Sequence, residues 1–467
     1  MPNVIRAARW AASLMPLWFG LAGCVPSNRA VYAPVDQALR ARLASADLWN
    51  PEARDAQAAS TADMLSRPLD AHAAVAIALR NNPRLRVELT ALGIPAGQVV
   101  QATAPRATDV DFLYRHGLAD DASEIEINIT QDIIELITTG SRRNAATQEL
   151  QAAQLRATAM AIEIAGVAEI GFYRLVAEQQ LYELRQTVAD LAASSFDFVS
   201  VQHAAGNVPD LTLLREQDNK AQADLDVAKS QIEVALRRQQ LTATLGMPVS
   251  EQGWTVVPRL PTLPITLAPT AANAEAVIVA QSLERDSLQR ETNAANTRLR
   301  LARIRSWVPE LGVGVSLGRR TTPTTPASEW DIGPAVRVAL PLFNWNQGGR
   351  AIARAEVARI SLAQRAYELE LRATFRAALN RQQTTYAQAR SIRDTILPLR
   401  NKILGEVLLH YNAMNATALE LLMARRAQTE AGQQYIELLR DYWVAQTVIS
   451  TMQRGGVTAL ISSPTGD

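Results

Sequence analysis

The side chains that most often carry catalysis or bind metals are few in this chain, and their spacing matches no pattern of that kind. The 467 residues include one cysteine and four histidines, which are His72, His116, His203 and His410. No HExxH, CxxC or nucleophile–base arrangement is present. We therefore predict that the chain is not an enzyme and that it holds no cofactor and no metal.

Two of the histidines occupy near-equivalent places in an internal repeat. His203 and His410 lie 410 − 203 = 207 residues apart, each beside a predicted break between two long helices. Such a pair could form a metal-sensing ring, and the simpler alternative is two surface histidines on paired helices. We adopt the simpler interpretation.

The single cysteine, Cys24, closes a short leader segment. The leader has a basic start, and its apolar residues 10–20 are too few to span a bilayer as a helix. Residues 21–24 (LAGC) resemble a lipobox, the bacterial signal for acylating (palmitoylating) a cysteine at the mature N-terminus. We predict a lipoprotein signal peptide at 1–23 and a lipid anchor on Cys24, the alternative being a signal peptide with a chance cysteine. Val25 follows where Asp would indicate inner-membrane retention, which favours the outer membrane.

The charge of the chain argues against a nucleic-acid partner. Of 47 basic residues, two arginines lie in the leader, so the mature chain has 47 − 2 = 45 basic residues against 46 acidic ones. Such a balance lacks the basic excess of nucleic-acid-binding proteins. Beyond residue 24 no apolar run is long enough for a transmembrane helix, so any passage through a membrane would use strands.

The chain repeats its plan at a distance of about 200 residues, as repeat proteins do. Leu213 and Leu214 match Leu421 and Leu422, an offset of 421 − 213 = 208. Each copy contains two strand-like stretches, a long helical stretch, a break and a return helix. We divide the chain into a signal peptide (1–23), a lipidated N-terminal tail (24–66), a first repeat (67–246), a Pro-rich linker (247–270), a second repeat (271–454) and a C-terminal tail (455–467).

Long stretches without proline predict long paired helices. Residues 141–204 would form a helix about 95 Å long, which ends at 206–210 (GNVPD) before a return helix to Leu245. The second repeat predicts a helix over 349–410, a break at 412–416 and a return helix to Met452. Three–four spacing predicts a coiled-coil seam on each helix of the first pair: Leu181, Leu184, Val188, Leu191, Ser195 and Phe198 outgoing, and Leu214, Ala221, Leu225, Ala228, Ile232 and Ala235 returning.

Shorter elements precede each pair. Residues 25–66 show no clear period and predict an extended tail. Asp70 can cap a helix over 72–81, and a second helix follows over 83–102. In the second repeat a single helix is predicted over 272–306. The segment 247–270, with five prolines, is predicted to be a linker.

Four stretches alternate between apolar and polar or small residues, the pattern of half-buried strands. They are residues 110–115, 124–130, 311–318 and 332–340. The connections between strands are predicted at 117–123 and 319–328. In 124–130 (EIEINIT) the two glutamates and the three isoleucines would lie on opposite faces.

A sheet of four such strands is incomplete if it enters lipid. An open edge leaves backbone groups unpaired in hydrocarbon, and outer-membrane barrels have at least eight strands. The chain would therefore have to pool its strands with copies of itself. The alternative is a small soluble sheet on a helical body.

Residues 68–452 resemble the TolC family of outer-membrane efflux channels. The resemblance is carried by ALRNNPRLR at 78–86, AAGNVPDLTLL at 204–214, TLG at 244–246 and GPAVRVALPLFNWNQGGRAIARAE at 333–356. The first strand-to-helix junction departs from the family pattern because it lacks Pro-Leu-Phe. Its TQDIIEL at 130–136 is closer to heavy-metal efflux branches.

The resemblance implies a mainly α fold with a transmembrane β part, made of two tandem repeats of a strand pair plus a long coiled-coil helical hairpin. It implies a homotrimer that forms a 12-strand β-barrel in the bacterial outer membrane on a 12-helix periplasmic tunnel. The implied partners are a periplasmic adaptor (membrane fusion) protein and an inner-membrane pump. The function implied is a passive exit duct of a tripartite efflux system for small molecules or metal ions.

The resemblance also implies roles for the two helical tips. LELLMA at 419–424 matches the family element whose acidic residue lines the periplasmic aperture, which assigns Glu420 to that aperture. Asp210 and Thr212 are the candidates at the first tip, although Asp210 could instead cap its helix and Glu420 could be a solvated surface residue. The expected adaptor-docking tips contain Gly206, Asn207, Pro209, Asn412 and Asn415.

Two other functions fit the same sequence. A type I protein-secretion duct has the same architecture with a different pump. A structural periplasmic lipoprotein without a pore would keep the helices and the lipid anchor. The lipobox and the junction type favour the efflux duct.

Overall fold

A computed structural model describes residues 27–43, 48–49, 54–104, 107–116, 122–248, 253–267, 273–321, 330–341 and 343–456. The predicted signal peptide, Cys24 and the last eleven residues of the predicted C-terminal tail lie outside the described residues. None of the helices in the described part combines the length and the low charge needed to cross a lipid bilayer.

In both halves of the chain helices precede two strands and long helices follow them, and the first half has additional helices at its start. Five helices come first: α1 (Asn28–Arg42), α2 (Arg54–Leu65), α3 (Ala71–Asn81), α4 (Pro83–Ala91) and α5 (Gly93–Thr103). Strands β1 (Asp109–His116) and β2 (Ser123–Asp132) lead into α6 (Ile133–Ala204) and α7 (Asp210–Leu245). The second half contains α8 (Ala274–Gln281), α9 (Leu283–Trp307), β3 (Glu310–Thr321), β4 (Trp330–Ala339), α10 (Gln347–Ser391), a π-helical turn (Ile392–Ile396), α11 (Leu397–Asn412) and α12 (Ala418–Gln453).

The chain divides into two compact units. One unit holds the sheet and consists of residues up to Pro34, Leu89–Arg156 and Arg285–Tyr367. The other is helical and consists of Val35–Glu88, Ala157–Glu284 and the residues from Glu368 onward.

The four strands form one antiparallel sheet in the order β1-β2-β3-β4. In its register Phe112 lies opposite Ile127, Ile127 opposite Leu317, and Leu317 opposite Ile332. Since side chains alternate along a strand, this register collects most of the large apolar side chains of the four strands on one face. The apolar residues of that face are Val110, Phe112, Tyr114, Ile125, Ile127, Ile129, Leu311, Val313, Val315, Leu317, Trp330, Ile332, Pro334, Val336 and Val338, and Gln131 and Arg319 lie near its ends.

The opposite face of the sheet is polar and curved. Arg337 on β4 forms an ion pair with Asp111 on β1, although two strands lie between them. Strands are about 4.8 Å apart, so a flat sheet would separate β1 from β4 by about 14 Å, more than these two side chains span. The sheet therefore bends towards its polar face. The bend requires glycine on the polar face of β3, because a Cβ added to Gly314 would lie 1.8 Å from the Ile129 carbonyl oxygen.

The strand predictions are confirmed, while the loop boundary predicted at 319 is wrong, because β3 continues to Thr321. The predicted tail of 25–66 is not extended. It contains α1 and α2, and Val31, Val35, Leu39 and Leu43 bury one stripe of α1. This four-residue spacing is a helical signal that the low overall apolar content of the segment obscured.

The short helices also differ from expectation. The Asp70 cap is confirmed, because its carboxylate accepts a hydrogen bond of 2.7 Å from the Ala73 amide. The helix predicted over 83–102 is two helices that meet at Leu92. The helix predicted over 272–306 breaks at Ser282, whose φ and ψ of −67° and 117° nearly equal the −58° and 122° of Asn82. The repeat thus conserves this backbone bend even though Pro83 has no counterpart.

The Pro-rich linker packs on the helical unit as a strap. Trp254, Val256, Leu260 and Leu263 are buried. The backbone carbonyls of the strap accept side-chain hydrogen bonds from three long helices, with Gln180 bonded to Pro258, Tyr386 to Ile265, and Trp443 to Pro261. A proline cannot donate a backbone hydrogen bond but its carbonyl accepts one, so an extended Pro-rich segment can tie neighbouring helices together.

The seam predicted for the return helix α7 points away from its partner within the chain. Leu214, Leu225 and Ile232 are 60%, 49% and 67% exposed. The stripe that α7 buries consists instead of Glu216, Ala223 and Ser230, at seven-residue spacing. Three–four spacing identifies a packing stripe but not which helix it packs against, and here the more polar stripe packs within the subunit.

Candidate functional site

The first helical tip is a Schellman turn followed by a helix start. Gly206 has a φ of +76°, and its amide donates to the His203 carbonyl, while the Asn207 amide donates to the Gln202 carbonyl. These two bonds close the end of α6 in the standard way for a left-handed residue after a helix. Pro209 is then the N-cap of α7 but offers no side-chain hydrogen bond.

The second tip has the same backbone built from different residues. Met414 has a φ of +59° and takes the place of Gly206, at the repeat offset 414 − 206 = 208. The Asn415 amide donates to the His410 carbonyl, as Asn207 does to Gln202. The two histidines are therefore not equivalent, because His410 corresponds to Gln202, one residue away from His203.

Glu420 forms a capping box with Thr417 at the start of α12. The Glu420 carboxylate accepts hydrogen bonds from the Thr417 amide (2.7 Å) and hydroxyl (3.1 Å), and the Glu420 amide donates to the Thr417 hydroxyl (3.2 Å). The Thr417 amide, and after it the Thr417 hydroxyl, holds the pKa of the exposed Glu420 carboxyl below its usual range. The carboxylate is thus charged, exposed and fixed in position. The sequence carries the signature of this box, with Thr417 three residues before Glu420.

Asp210 and Thr212 lie in the first turn of α7, and Thr212 corresponds to Glu420 in the repeat (420 − 208 = 212). Asp210 is not the N-cap. Its carboxylate, which is 89% exposed, lies 2.6 Å from the Nε2 of His203 and joins the two helices across the tip. In the part of the chain that the structure describes, no hydrogen bond or ion pair connects Glu420 with Asp210 or Thr212.

The residues predicted for docking are exposed at the tips. Gly206, Asn207, Pro209, Asn412 and Asn415 are all exposed, and Met414 between the last two is 94% exposed. Asn207 is held by a hydrogen bond to the Gln202 side chain (3.1 Å). Met414 is not among the predicted residues. Its exposure depends on the left-handed backbone at that position, which the sequence does not indicate for a methionine.

A groove that the sequence did not predict lies above the tips, where α6, α7 and α12 meet. It has a volume of about 210 Å³, and its walls include Leu191, Glu216, Asp226, Met423 and Arg426. Inside it the buried Glu216 carboxylate accepts a 2.7 Å hydrogen bond from Ser195, which was predicted as a seam residue. Among the described residues no group of three or more His, Cys, Asp or Glu side chains is arranged to hold a metal ion.

The chain resembles a metal-resistance protein in sequence and solved outer-membrane proteins in fold. No protein-family model matches the chain. The cobalt-zinc-cadmium resistance protein CzcC of Cupriavidus metallidurans is 25% identical over 391 residues, which are 82% of this chain and 89% of CzcC. The outer membrane protein VceC of Vibrio cholerae has a TM-score of 0.65 at 14% identity and covers 83% of this chain and 96% of its own. CusC, a protein that forms a transmembrane channel, has a TM-score of 0.64 at 17% identity. The match covers 83% of this chain and 92% of CusC. The resemblance inferred from the sequence is confirmed: the chain has the fold of the TolC-family outer-membrane channel proteins.

Proposed function

We propose that this chain is one subunit of the outer-membrane exit duct of a tripartite efflux system. The duct itself consumes no energy and is not an enzyme. The subunit traverses the outer membrane with its strands and holds its helices in the periplasm. A lipid on Cys24, outside the described residues, adds a second anchor.

The observation that carries the proposal is the apolar face of the sheet. Val336, Phe112 and Ile332 on that face are 67%, 67% and 64% exposed. Monomeric soluble proteins rarely expose a continuous apolar surface of this extent. The opposite face is polar and concave, as the inner wall of a water-filled channel would be.

The open edges of the sheet support a homotrimer. Within the part of the chain that the structure describes, strands β1 and β4 each have one neighbour, so each presents one unpaired edge. Three copies would pair β4 of one subunit with β1 of the next and close a barrel of twelve strands without any free edge. The exposed seam of α7 is a surface on which a helix of a neighbouring subunit can pack.

The tips support the roles of aperture and adaptor contact. Three copies of the fixed carboxylate of Glu420 would form a ring of negative charge that favours cations. Asp210 and Thr212 would supply the corresponding positions of the first hairpin. The exposed tip residues would contact a periplasmic adaptor protein, which in turn connects to an inner-membrane pump.

The relative with the highest identity reported above favours metal ions over organic molecules as the exported substrate. CzcC is a cobalt-zinc-cadmium resistance protein, and it matches this chain over most of both lengths. We infer a divalent transition-metal ion as the substrate class. Neither a type I protein-secretion duct nor a lipoprotein without a pore has a comparable observation in its favour.

The test is reconstitution of the purified mature protein. We expect a heat-modifiable trimer in detergent, and step-like cation-selective conductance when it is added to a planar bilayer. A protein that high salt releases from membranes as a monomer, and that gives no conductance, would support the structural lipoprotein and overturn this proposal.

A further inference from the structure

The groove where α6, α7 and α12 meet holds a carboxylate that no basic side chain neutralises. Glu216 lines this groove and is only 7% exposed. Its Oε2 accepts a hydrogen bond from the neutral Ser195 hydroxyl (2.7 Å), and among the described residues no donor reaches its Oε1. A carboxylate withdrawn from water is costly unless an opposite charge compensates it. We propose that the groove binds a small organic ammonium ion with an apolar body, and that Glu216 is its counter-ion.

The other charged side chains of the groove have partners of their own. Arg426, the basic side chain in the groove wall, is 70% exposed and forms a 3.1 Å ion pair with Glu430 on the same helix. Asp226 pairs with Lys229 at 3.7 Å. In the part of the chain that the structure describes, Glu216 is therefore the uncompensated charge of the groove, and this charge attracts a cation.

Neutral acceptors beside Glu216 suit an ammonium group, which has several N–H donors. Asn219 follows Glu216 by three residues, so the two lie on one face of α7, and both line the groove. Gln222, three residues further on, donates its amide N–H to Asp226 (3.0 Å), which leaves its carbonyl oxygen as an acceptor. One carboxylate and two carboxamide oxygens can together accept the three N–H bonds of a primary ammonium ion.

The same groups suit a metal ion poorly. Glu216 and Asp226 are 226 − 216 = 10 residues apart on α7, about 15 Å along a helix. The two carboxylates therefore cannot share one ion. Transition-metal ions bind through several imidazole, thiolate or carboxylate ligands, and this groove would offer such an ion one carboxylate.

The remaining walls of the groove select an apolar body for the bound molecule. They include Leu191 on α6 and Leu422 and Met423 on α12. An apolar cavity of about 150 Å³ holds a benzene molecule, so the groove, at about 210 Å³, accommodates a benzene-sized body with a short amine chain. Because the counter-ion lies on α7 and much of the apolar wall on α12, a bound molecule would join α12 to the α6–α7 pair.

Calorimetric titration of the full mature protein in detergent with 2-phenylethylammonium chloride tests the proposal. 2-Phenylethanol has the same apolar body without the charge, and 3-phenylpropanoate carries the opposite charge. We expect saturable binding of the ammonium ion, binding about tenfold weaker for the alcohol, and no binding of the carboxylate, because the alcohol forms no hydrogen bond between charged groups. Displacement of the ammonium ion by cobalt(II) chloride would overturn the assignment to an organic cation.

Two variants separate the charge of the groove from its space. Glu216→Gln keeps the shape of the side chain and should weaken binding of the ammonium ion about tenfold, with binding of the alcohol unchanged. Ala192→Leu fills part of the groove on the α6 side and should weaken binding of both molecules. Asp218→Asn is the matched control, because it removes an exposed carboxylate of α7 outside the groove and should change neither affinity.

Circular dichroism shows whether each variant keeps its helical content. Equal affinity of wild type and a folded Glu216→Gln for the ammonium ion would overturn the proposal. Absence of binding to wild type would also overturn it, and would assign the Glu216 carboxylate to contact with a basic side chain of another subunit. The groove lies wholly within the helical unit, so this binding would occur whether or not the chain forms a duct.

Discussion

The residues at the two tips differ although their backbones agree. At the second tip the capping box binds the Glu420 carboxylate to Thr417, whereas at the first tip Thr212 occupies the same place and Pro209 offers no cap. The proposed aperture charge and the cap of α12 therefore reside in one side chain. Replacement of Glu420 by alanine would remove both at once.

Two variants separate the charge from the cap. Glu420→Gln keeps an acceptor suited to a capping box but removes the charge, and we expect reduced cation preference and higher anion conductance in planar bilayers. Thr417→Ala keeps the charge and removes the N-cap, at a cost of about 1 kcal/mol, and should speed amide exchange in the first turn of α12 with little change in selectivity. Equal effects of both variants on selectivity would show that the charge of Glu420 does not set the ion preference of the aperture.

The same pair has a defined pH dependence. Hydrogen bonds from Thr417 lower the pKa of Glu420 in the folded state. The stabilisation of the tip is therefore complete above the unfolded pKa and is lost as the pH falls through the folded value. Amide exchange at the start of α12, corrected for its intrinsic pH dependence, should show the loss in wild type and not in Glu420→Gln.

Met414 is in a backbone conformation that suits glycine. Its φ of +59° costs a residue with a side chain about 1–2 kcal/mol, and at 94% exposure its side chain makes little compensating contact. We expect Met414→Gly to stabilise the second tip by about 1 kcal/mol after the added freedom of the unfolded chain is counted, seen as slower amide exchange at Asn415. Gly206→Ala is the reverse control: it places a side chain on the left-handed residue of the first tip and should destabilise that tip. Faster amide exchange at Asn415 in Met414→Gly would contradict the prediction.

Among the elements, α7 shows how two stripes on one helix divide their tasks. The buried stripe of Glu216, Ala223 and Ser230 keeps the helix on its own subunit, and Ser195 satisfies the Glu216 carboxylate. The apolar stripe remains exposed. A subunit that leaves its more apolar helix stripe exposed has a surface suited to packing against another molecule.

Charge placed on the exposed stripe should break the assembly and spare the subunit. We expect the double variant Leu225→Asp with Ile232→Asp to shift the trimer towards monomer in light scattering while helical content by circular dichroism is retained. Gln231→Asp, on the same helix but off the seam, should remain trimeric. Loss of helical content in the double variant, without a monomer, would show that the stripe serves the subunit's own fold.

At the scale of the whole molecule, the unit that holds the sheet and the helical unit have different surfaces. The former exposes an apolar sheet face, and the latter ends in two exposed helical tips that carry Asp210 and Glu420. Only the former suits lipid. In the proposed duct, the charge of Glu420 would favour cations at the periplasmic mouth.

Deletion of the gene should therefore reveal the exported class. We expect the deletion strain to become sensitive to cobalt, zinc or cadmium salts, with sensitivity to apolar antibiotics unchanged, and the wild-type gene to restore resistance. A strain with the reverse pattern would point to organic substrates, and one defective only in protein secretion would favour the type I duct.

Local chemistry was readable from the chain alone. The alternation in 124–130, the Asp70 cap and the two helix breaks near Gly206 and Asn412 each depend on residues close in sequence, and the structure confirms them. The helices α1 and α2 give a weak sequence signal, because the buried stripe of α1 is set among alanines and polar residues and α2 consists largely of alanines and polar residues. The strap escaped because its stabilising donors, Gln180, Tyr386 and Trp443, come from distant helices.

Only the tertiary structure shows which neighbouring element, if any, each apolar stripe packs against. Periodicity established that α7 carries a packing stripe, but a period contains no information about the partner, and only the fold shows that Leu225 and Ile232 face outward. The capping box of Thr417 and Glu420 belongs with the local patterns, because its two residues are three positions apart in the sequence. Local patterns follow from neighbouring residues, whereas packing partners are set by contacts between residues far apart in the sequence, such as Trp443 with Pro261, and those exist only once the chain has folded.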